Sequence, residues 1–132
     1  MEEINELRRD GCLCGGEYMK PTHDLMWDDQ LYLVSRDYAR YMDKYNHFDH
    51  FSRNGEDIGD RLDKIGYKWY RVGENLGRGY DDFYSVFKAW IASPSHCKML
   101  MDPHVKFIGM SKYNHYWAQS FALPLEAMTY SN

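Results

Sequence analysis

Between His50 and Phe121 the chain carries an ordered series of short polar motifs, most of them framed by glycine or proline. Glycine and proline restrict or release the backbone at fixed positions, so such a series constrains the fold strongly. Two histidines and one glutamate, His50, Glu74 and His96, lie within it. The motifs, in order, are His50–Gly55, Asp60-Arg61, Gly66-Tyr67, Gly73–Leu76, Trp90–His96, Ile108-Gly109 and Tyr116-Trp117.

Hydrophobic periodicity predicts helices and one hairpin around these motifs. Helices are expected over residues 3–10, 28–45, 56–65 and 81–92, with Asp28 and Asp81 as N-caps, and a short helical turn starts at Pro94. Residues 16–27 are predicted to be irregular, and residues 67–79 to form a short strand with turns. Residues 105–113 and 116–123 are predicted to pair as a β-hairpin with Asn114-His115 at its turn. Helices on an antiparallel sheet indicate an α+β fold in one domain, residues 1–132.

Charge and hydropathy exclude some classes of partner. The formal charge is −4 and there is no Lys/Arg run, which argues against binding nucleic acid or anionic membrane surfaces. No stretch approaches the roughly 20 apolar residues of a membrane span. The first residues show neither a basic leader nor an apolar segment, so no signal peptide is predicted, and a cytoplasmic location stays open.

The three cysteines leave an odd thiol. Cys12 and Cys14 are too close to bridge each other comfortably, although either could reach Cys97. The Cys-x-Cys spacing near His23 matches no standard zinc finger. We therefore expect ordinary thiols.

Taken singly, the polar residues of the motifs favour structural roles. His50 follows a long helix in a loop, Glu74 lies between Gly73 and Asn75, and His96 follows a helix break, and each such residue is more often a hydrogen-bonded or surface group than a ligand. Ser93, immediately before Pro94, is interpreted as a helix cap rather than a nucleophile.

The ordered set resembles the CAP superfamily, also called the SCP or TAPS domain, in its compact bacterial form. Ile4-Asn5 with Arg8, and Pro21 with Leu25 and Trp27-Asp28, fit the family's N-terminal part. The resemblance implies a three-layer α-β-α sandwich with a small antiparallel sheet and about four helices. It also implies an extracellular or cell-surface location.

Through the same resemblance, His50, Glu74 and His96 match three members of the family's central cleft cluster. Supporting cleft positions are Asn75, Trp90 and Ser93. Animal members carry a second glutamate where this chain has Ser93, and bacterial relatives typically carry asparagine where it has Met99. The site therefore has one carboxylate fewer, and a polar group that would orient His96 is missing.

These residues lead to one function and two alternatives. The leading hypothesis is a monomeric binding or interaction protein whose His50, His96 and Glu74 hold a weakly bound divalent metal, with Zn²⁺ as the best candidate. An aromatic surface would receive a lipid, peptide or cell-wall partner. One alternative is a metal-assisted peptidase or other hydrolase in which Glu74 activates a bound water. The other is a structural role in which the three side chains form a hydrogen-bonded knot.

The aromatic surface is expected to come from an excess of aromatic residues, which make up 17% of the chain. Tyrosine combines apolar area with a polar tip, so it suits faces that are part core and part binding surface. About two in three of the candidates are expected to be core, and the rest to line a cleft or partner surface. The candidates are Trp69, Tyr70, Tyr80, Phe83, Tyr84, Tyr113, Tyr116 and Trp117.

Overall fold

The structure is a computed structural model that describes residues 1–129, and it contains six helices and two sheets within that range. The helices are α1 (Glu2–Asp10), α2 (Asp29–Tyr45), α3 (Ile58–Lys64), α4 (Phe83–Ala92), α5 (Pro94–Leu100) and α6 (Leu125–Thr129). The strands are β1 (Cys12–Cys14), β2 (Glu17–Met19), β3 (Met26–Trp27), β4 (Trp69–Arg78), β5 (Phe107–Tyr113) and β6 (Tyr116–Pro124). None of these helices is long and apolar enough to cross a bilayer.

The main sheet has the strand order β3-β5-β6-β4. β6 pairs antiparallel with both β4 and β5, and the predicted β5–β6 hairpin is confirmed, with Asn114 in a left-handed conformation at its turn. The two-residue β3 pairs parallel with β5, so the sheet is mixed rather than purely antiparallel. β4 lies at one edge of the sheet, and it carries Glu74 and Asn75.

Successive side chains of β6 point to opposite faces of the sheet and pack against helices on each face, which gives the predicted three layers. Ala118 and Ala122 pack against the layer of α2 and α3, while Trp117 and Phe121 pack with α1 and α4 on the opposite face. Successive strand residues point to opposite faces, so a strand buried on both sides must be apolar or satisfied throughout. Ser120 meets this need through a 2.7 Å contact between its Oγ and Oγ of Ser35 in α2. The α-β-α sandwich is therefore confirmed.

The helix signals were accurate to within a few residues. Asp28 caps α2 as predicted, because its side chain accepts hydrogen bonds from the backbone N–H groups of Gln30 and Leu31. Helix α4 is capped by Asp82 rather than by Asp81. Helix α5 begins at Pro94, as the helix break at Ser93-Pro94 predicted. Helix α6 was not predicted.

Two segments differ from the sequence prediction because glycine has a different function there. Gly15 and Gly16 form the two-residue turn of the β1–β2 hairpin, in a segment whose later part, from residue 16, was expected to be irregular. The expected short strand with turns at 67–79 is instead the ten-residue β4. Gly73 and Gly77 lie inside β4 where the side chains of Met99 and Val86 pack directly on the strand backbone.

The expectation of ordinary thiols holds for Cys12 alone, and the open alternative of a bond to Cys97 is confirmed for Cys14. Cys14 and Cys97 form a disulfide, with their Cα atoms 5.4 Å apart, within the normal range for such bonds. The bond ties β1 to α5, two elements 83 residues apart in sequence. Cys12 is left as the odd thiol that the count of three required.

Candidate functional site

One cavity of about 470 Å³ lies where the loop after α2 meets β4, α4 and α5. His50 comes from the loop, Trp90 from α4, and His96 from α5, with Ser93 between the two helices. The two histidines that the motifs singled out therefore face the same space although 46 positions separate them in sequence. The remaining lining residues are Phe48, Asp49, Leu76, Gly77, Arg78, Tyr80 and Ala89.

Glu74 lies behind His50 and is absent from the described lining of the cavity. Its side chain is only 2% exposed, whereas that of His50 is about half exposed. Oε1 of Glu74 lies 3.0 Å from Nδ1 of His50. This geometry is that of a carboxylate that orients an imidazole through its ring N–H and leaves Nε2 as the outer nitrogen.

Arg61 holds the other side of the Glu74 carboxylate. Its Nη1 donates a 2.8 Å hydrogen bond to Oε2, and its Nη2 donates to Oε1 at 3.3 Å and to the carbonyl oxygen of His50 at 2.8 Å. The guanidinium also lies over the ring of Tyr38, 3.5 Å from its centroid. Both oxygens of Glu74 are thus occupied by Arg61 and His50.

The environment shifts the pKa values of His50 and His96 in opposite directions. The hydrogen bond to Glu74 raises the pKa of His50, and this effect outweighs the desolvation that opposes it. Burial lowers the pKa of His96, and the nearby His50 lowers it further. At neutral pH His96 is therefore neutral, while His50 keeps its proton to a higher pH than an ordinary histidine.

Ser93 orients His96 at the cavity wall. Oγ of Ser93 lies 2.7 Å from Nδ1 of His96. Ser93 occupies the predicted N-cap position of α5, although within the described chain its side chain makes no capping hydrogen bond. The polar group that holds His96 is thus Ser93, while Met99 packs against Gly73 of β4.

Hydrogen bonds from Asn75 and Trp90 connect the elements that line the cleft. Nδ2 of Asn75 donates to the carbonyl oxygen of His96 at 3.2 Å and to Oε1 of Gln119 at 3.1 Å. Nε1 of Trp90 donates to the carbonyl oxygen of Leu76 at 2.9 Å. These bonds join α5 and α4 to the edge strand β4, so they fix the position of His96 relative to Glu74.

The three residues that the motifs singled out do not form a three-ligand metal centre in the described chain. Within residues 1–129, His50, Glu74 and His96 do not bring three ligand atoms within 4.8 Å of one another; the three cysteine sulfurs do. Two of those sulfurs form the Cys14–Cys97 bond, so they are not thiolate ligands. Nε2 of His50 and Nε2 of His96 are the nitrogens that the Nδ1 contacts leave for a cation.

The sequence pattern missed a second cavity on the other side of the same loop. It measures about 580 Å³ and lies between α2, α3 and the loop. Tyr38, Tyr41 and Tyr45 line it from one face of α2, at the i, i+3 and i+7 spacing of an amphipathic helix. Arg61 lines this cavity, while its guanidinium bonds the Glu74 carboxylate that orients His50 in the histidine cavity.

The aromatic candidates divide between core and surface. Tyr116 and Trp117 are buried, and Trp69 and Phe83 pack at the edges of the core. Tyr70, Tyr84 and Tyr113 are exposed. Tyr80 lines the histidine cavity together with Phe48, which was not among the candidates.

Comparison with known proteins places the chain among bacterial relatives. A model of the cysteine-rich secretory protein (CAP) family matches residues 1–122. The uncharacterized membrane protein YlbC of Bacillus subtilis is 27% identical over 97 residues, which are 74% of this chain and 28% of the relative. The uncharacterized protein YkwD of the same organism is 29% identical over 99 residues, 74% of this chain and 38% of the relative. The chain spans less than half the length of these curated relatives.

Solved structures share the fold. An outer surface protein from Borrelia burgdorferi has a TM-score of 0.80 at 24% identity, covering 93% of this chain and 88% of that one. An extracellular SCP-domain protein from Bacillus anthracis has a TM-score of 0.74 at 24% identity, covering 92% of this chain and 39% of that one. The family model spans nearly all of the sandwich, and the sandwich is the one these structures adopt. The chain belongs to the cysteine-rich secretory protein, or CAP, family.

Proposed function

We propose that this domain is a binding module that holds a labile divalent cation, with Zn²⁺ preferred, between Nε2 of His50 and Nε2 of His96. The observation that carries the proposal is that both rings border one cavity while a polar partner holds each at Nδ1. A fixed Nδ1 contact sets the ring orientation and is the usual companion of metal ligation by the other nitrogen. When bound, the cation would act as a Lewis acid that attracts an anionic or carbonyl oxygen of a partner.

Glu74 has an orienting role in this proposal rather than that of a ligand. Its carboxylate is nearly fully buried and is engaged by Arg61 and His50. It does not line the cavity that the two histidines border, so it is not placed to ligate a cation there. Because only two protein nitrogens are then available, water or a partner must complete the coordination shell, and binding is expected to be weak and exchangeable.

The partner we propose is a segment of a peptide, lipid or cell-wall molecule that enters the histidine cavity beside Phe48 and Tyr80. Both rings line the cavity, and Phe48 is 42% exposed. An extracellular or surface location fits this role. Solved proteins of the same fold are described as an outer surface protein and an extracellular protein, and the Cys14–Cys97 disulfide suits an oxidising compartment.

The contacts of Glu74 argue against the hydrolase alternative. A metal-assisted hydrolase needs a carboxylate that can take a proton from a bound water, within hydrogen-bond reach of that water. Glu74 uses both oxygens for Arg61 and His50 and lies behind the imidazole. Peptide turnover by the purified protein that disappears in Glu74→Gln, with the fold retained, would favour the hydrolase over the binding module.

Calorimetric titration of Zn²⁺ into metal-free protein tests the proposal. We expect one ion per chain in the parent and no detectable binding in the double variant His50→Ala, His96→Ala. The control is His104→Ala, because His104 is an exposed histidine in the loop before β5. Equal zinc binding by the double variant and the parent would overturn the proposal.

A further inference from the structure

Three sulfur atoms meet where β1 packs against α5. Cys12 and Cys14 are alternate residues of one strand, so their side chains leave it on the same side. Cys97 faces them from α5. While Cys14 is bonded to Cys97, Sγ of Cys12 lies 3.5 Å from Sγ of Cys97, and all three sulfurs lie within 4.8 Å of one another.

We propose that Cys12, Cys14 and Cys97 form a thiol–disulfide exchange site in which Cys97 is shared between two alternative partners. The thiolate of Cys12 attacks Sγ of Cys97, a Cys12–Cys97 bond forms, and the Cys14–Cys97 bond breaks. Cys14 leaves as a thiolate and takes up the proton that Cys12 released. Cys12 is oxidised and Cys14 is reduced by the same two electrons, so the step needs no external oxidant or reductant.

The contact allows this attack after a small side-chain movement. In-line attack needs the sulfurs of Cys12, Cys97 and Cys14 on one line. With Cys12 3.5 Å from Cys97 and a disulfide bond of about 2 Å, the two outer sulfurs would then lie farther apart than the 4.8 Å within which all three are found. Cys12 therefore approaches the bond from the side, and a rotation about its χ1 is needed for attack. Cys12 is only partly buried, so its side chain is not fully enclosed by its neighbours.

Burial raises the pKa of the Cys12 thiol, which keeps the thiolate fraction small at neutral pH. The exchange is therefore slow, and the Cys14–Cys97 pairing persists over short times.

Exchange also affects helix α5, because Cys97 directly follows His96 in that helix. When the partner of Cys97 changes from Cys14 to Cys12, two residues earlier in β1, the covalent link between β1 and α5 moves, and so does the restraint on the helix that carries His96.

The exchange site shares no residue with the proposed cation site, so it can be tested on metal-free protein. Mapping of disulfides by mass spectrometry tests it on the full chain. Free thiols of the folded protein are alkylated after incubation without oxidant, the protein is acidified, and the remaining bond is reduced and labelled with a second reagent. In the parent we expect the first label on both Cys12 and Cys14, in proportions that approach a constant ratio with time.

The variants Cys14→Ser and Cys12→Ser form a matched pair. Under the same air oxidation, we expect Cys14→Ser to form a Cys12–Cys97 bond and Cys12→Ser to form the Cys14–Cys97 bond. If Cys14→Ser keeps two free thiols while Cys12→Ser is fully bonded, the exchange site is overturned. In the parent, a first label confined to Cys12 at every time would overturn it as well, and that measurement does not depend on the folding of any variant.

Discussion

Nη1 of Arg61 donates a 2.8 Å hydrogen bond to Oε2 of Glu74, and this contact links helix α3 to the edge strand of the sheet. The same guanidinium bonds the carbonyl oxygen of His50. Arg61 therefore fixes both members of the His50–Glu74 pair from outside the cavity that His50 lines. The orientation of the histidine depends on a residue that never faces the proposed cation.

Replacing Arg61 tests this dependence. Arg61→Met keeps most of the aliphatic stem but removes the charge, which leaves the buried Glu74 carboxylate without its cation. Breaking a buried ion pair from one side typically costs about 3 to 5 kcal/mol, so a loss of unfolding free energy of that order is expected in urea titrations.

Arg36→Met is the control for Arg61→Met, because Arg36 pairs with the exposed Asp37 at the surface of α2. Its unfolding free energy should stay close to that of the parent. Equal stability of Arg61→Met and the parent would contradict the role of Arg61 as the essential partner of Glu74.

Local signals predicted the elements that depend on neighbouring residues. The N-cap at Asp28 and the helix start at Pro94 act within a few residues, and each is where the sequence placed it. The motif pattern brought His50 and His96 to one cavity through the family resemblance. The cap and the helix start need no knowledge of distant packing, whereas the meeting of the two histidines was expected only from the resemblance.

The features that escaped prediction depend on contacts between distant residues. Gly73 reads as a turn signal, yet it is a strand residue because Met99 of α5 packs on its backbone. The bond between Cys14 and Cys97 requires β1 to lie against α5, which the cysteine spacing cannot show. Arg61 belongs to the Asp60-Arg61 motif, but no periodic pattern in the sequence indicates its contact with Glu74, 13 residues away.

Gly109 provides a prediction about the packing of α2 on the sheet. A Cβ atom at this position would lie 2.1 Å from the backbone nitrogen of Tyr32, inside helix α2. Backbone cannot rotate away as a side chain can, so β5 and α2 would have to separate. We expect Gly109→Ala to lose about 3 kcal/mol or more of unfolding free energy, or to fail to fold.

Gly16→Ala is the matched control for Gly109→Ala, because no atom lies within 4 Å of a Cβ built at Gly16 and its φ is not in the left-handed region. Its stability in thermal or urea unfolding should match the parent closely. A mild effect of Gly109→Ala, similar to that of Gly16→Ala, would mean that α2 does not approach β5 as closely as the structure shows.

The two cleft histidines should change stability with pH in opposite senses. The pKa of His50 is raised in the folded state by its hydrogen bond to Glu74, so its contribution is fully present below the ordinary value of about 6.5 and is lost as pH rises through the raised folded-state pKa. We expect His50→Asn to destabilise metal-free protein more at about pH 5.5 than at about pH 8.

The pKa of His96 is lowered by burial, so the folded state resists protonation of this ring. His96→Asn should therefore lose less stability at acid pH than at alkaline pH, relative to the parent. Urea titrations of metal-free protein at both pH values measure the two variants side by side. A pH-independent difference for His50→Asn would show that the contact with Glu74 does not favour the protonated ring.

The contact between Ser93 and His96 decides which nitrogen of His96 is open to a cation. When Nδ1–H donates to Oγ of Ser93, Nε2 carries the lone pair that a metal needs. Ser93→Ala removes the partner that favours this tautomer, and the loss of such a group typically lowers metal affinity by about 10- to 100-fold. Stability should change little, because Oγ of Ser93 does not cap α5 in the described chain.

Zinc calorimetry on Ser93→Ala measures the loss of affinity, and Ser95→Ala, an exposed serine of the same helix, is the control. Unchanged affinity in Ser93→Ala would show that Ser93 does not select the tautomer of His96, and higher affinity would show that the hydrogen bond runs in the other direction, from the hydroxyl to Nδ1. In that tautomer Nε2 holds the proton, and a cation could bind there only by displacing it. The serine would then be positioned as a group activated by a histidine, and the search for chemistry in this cleft would turn from metal binding to Ser93 itself.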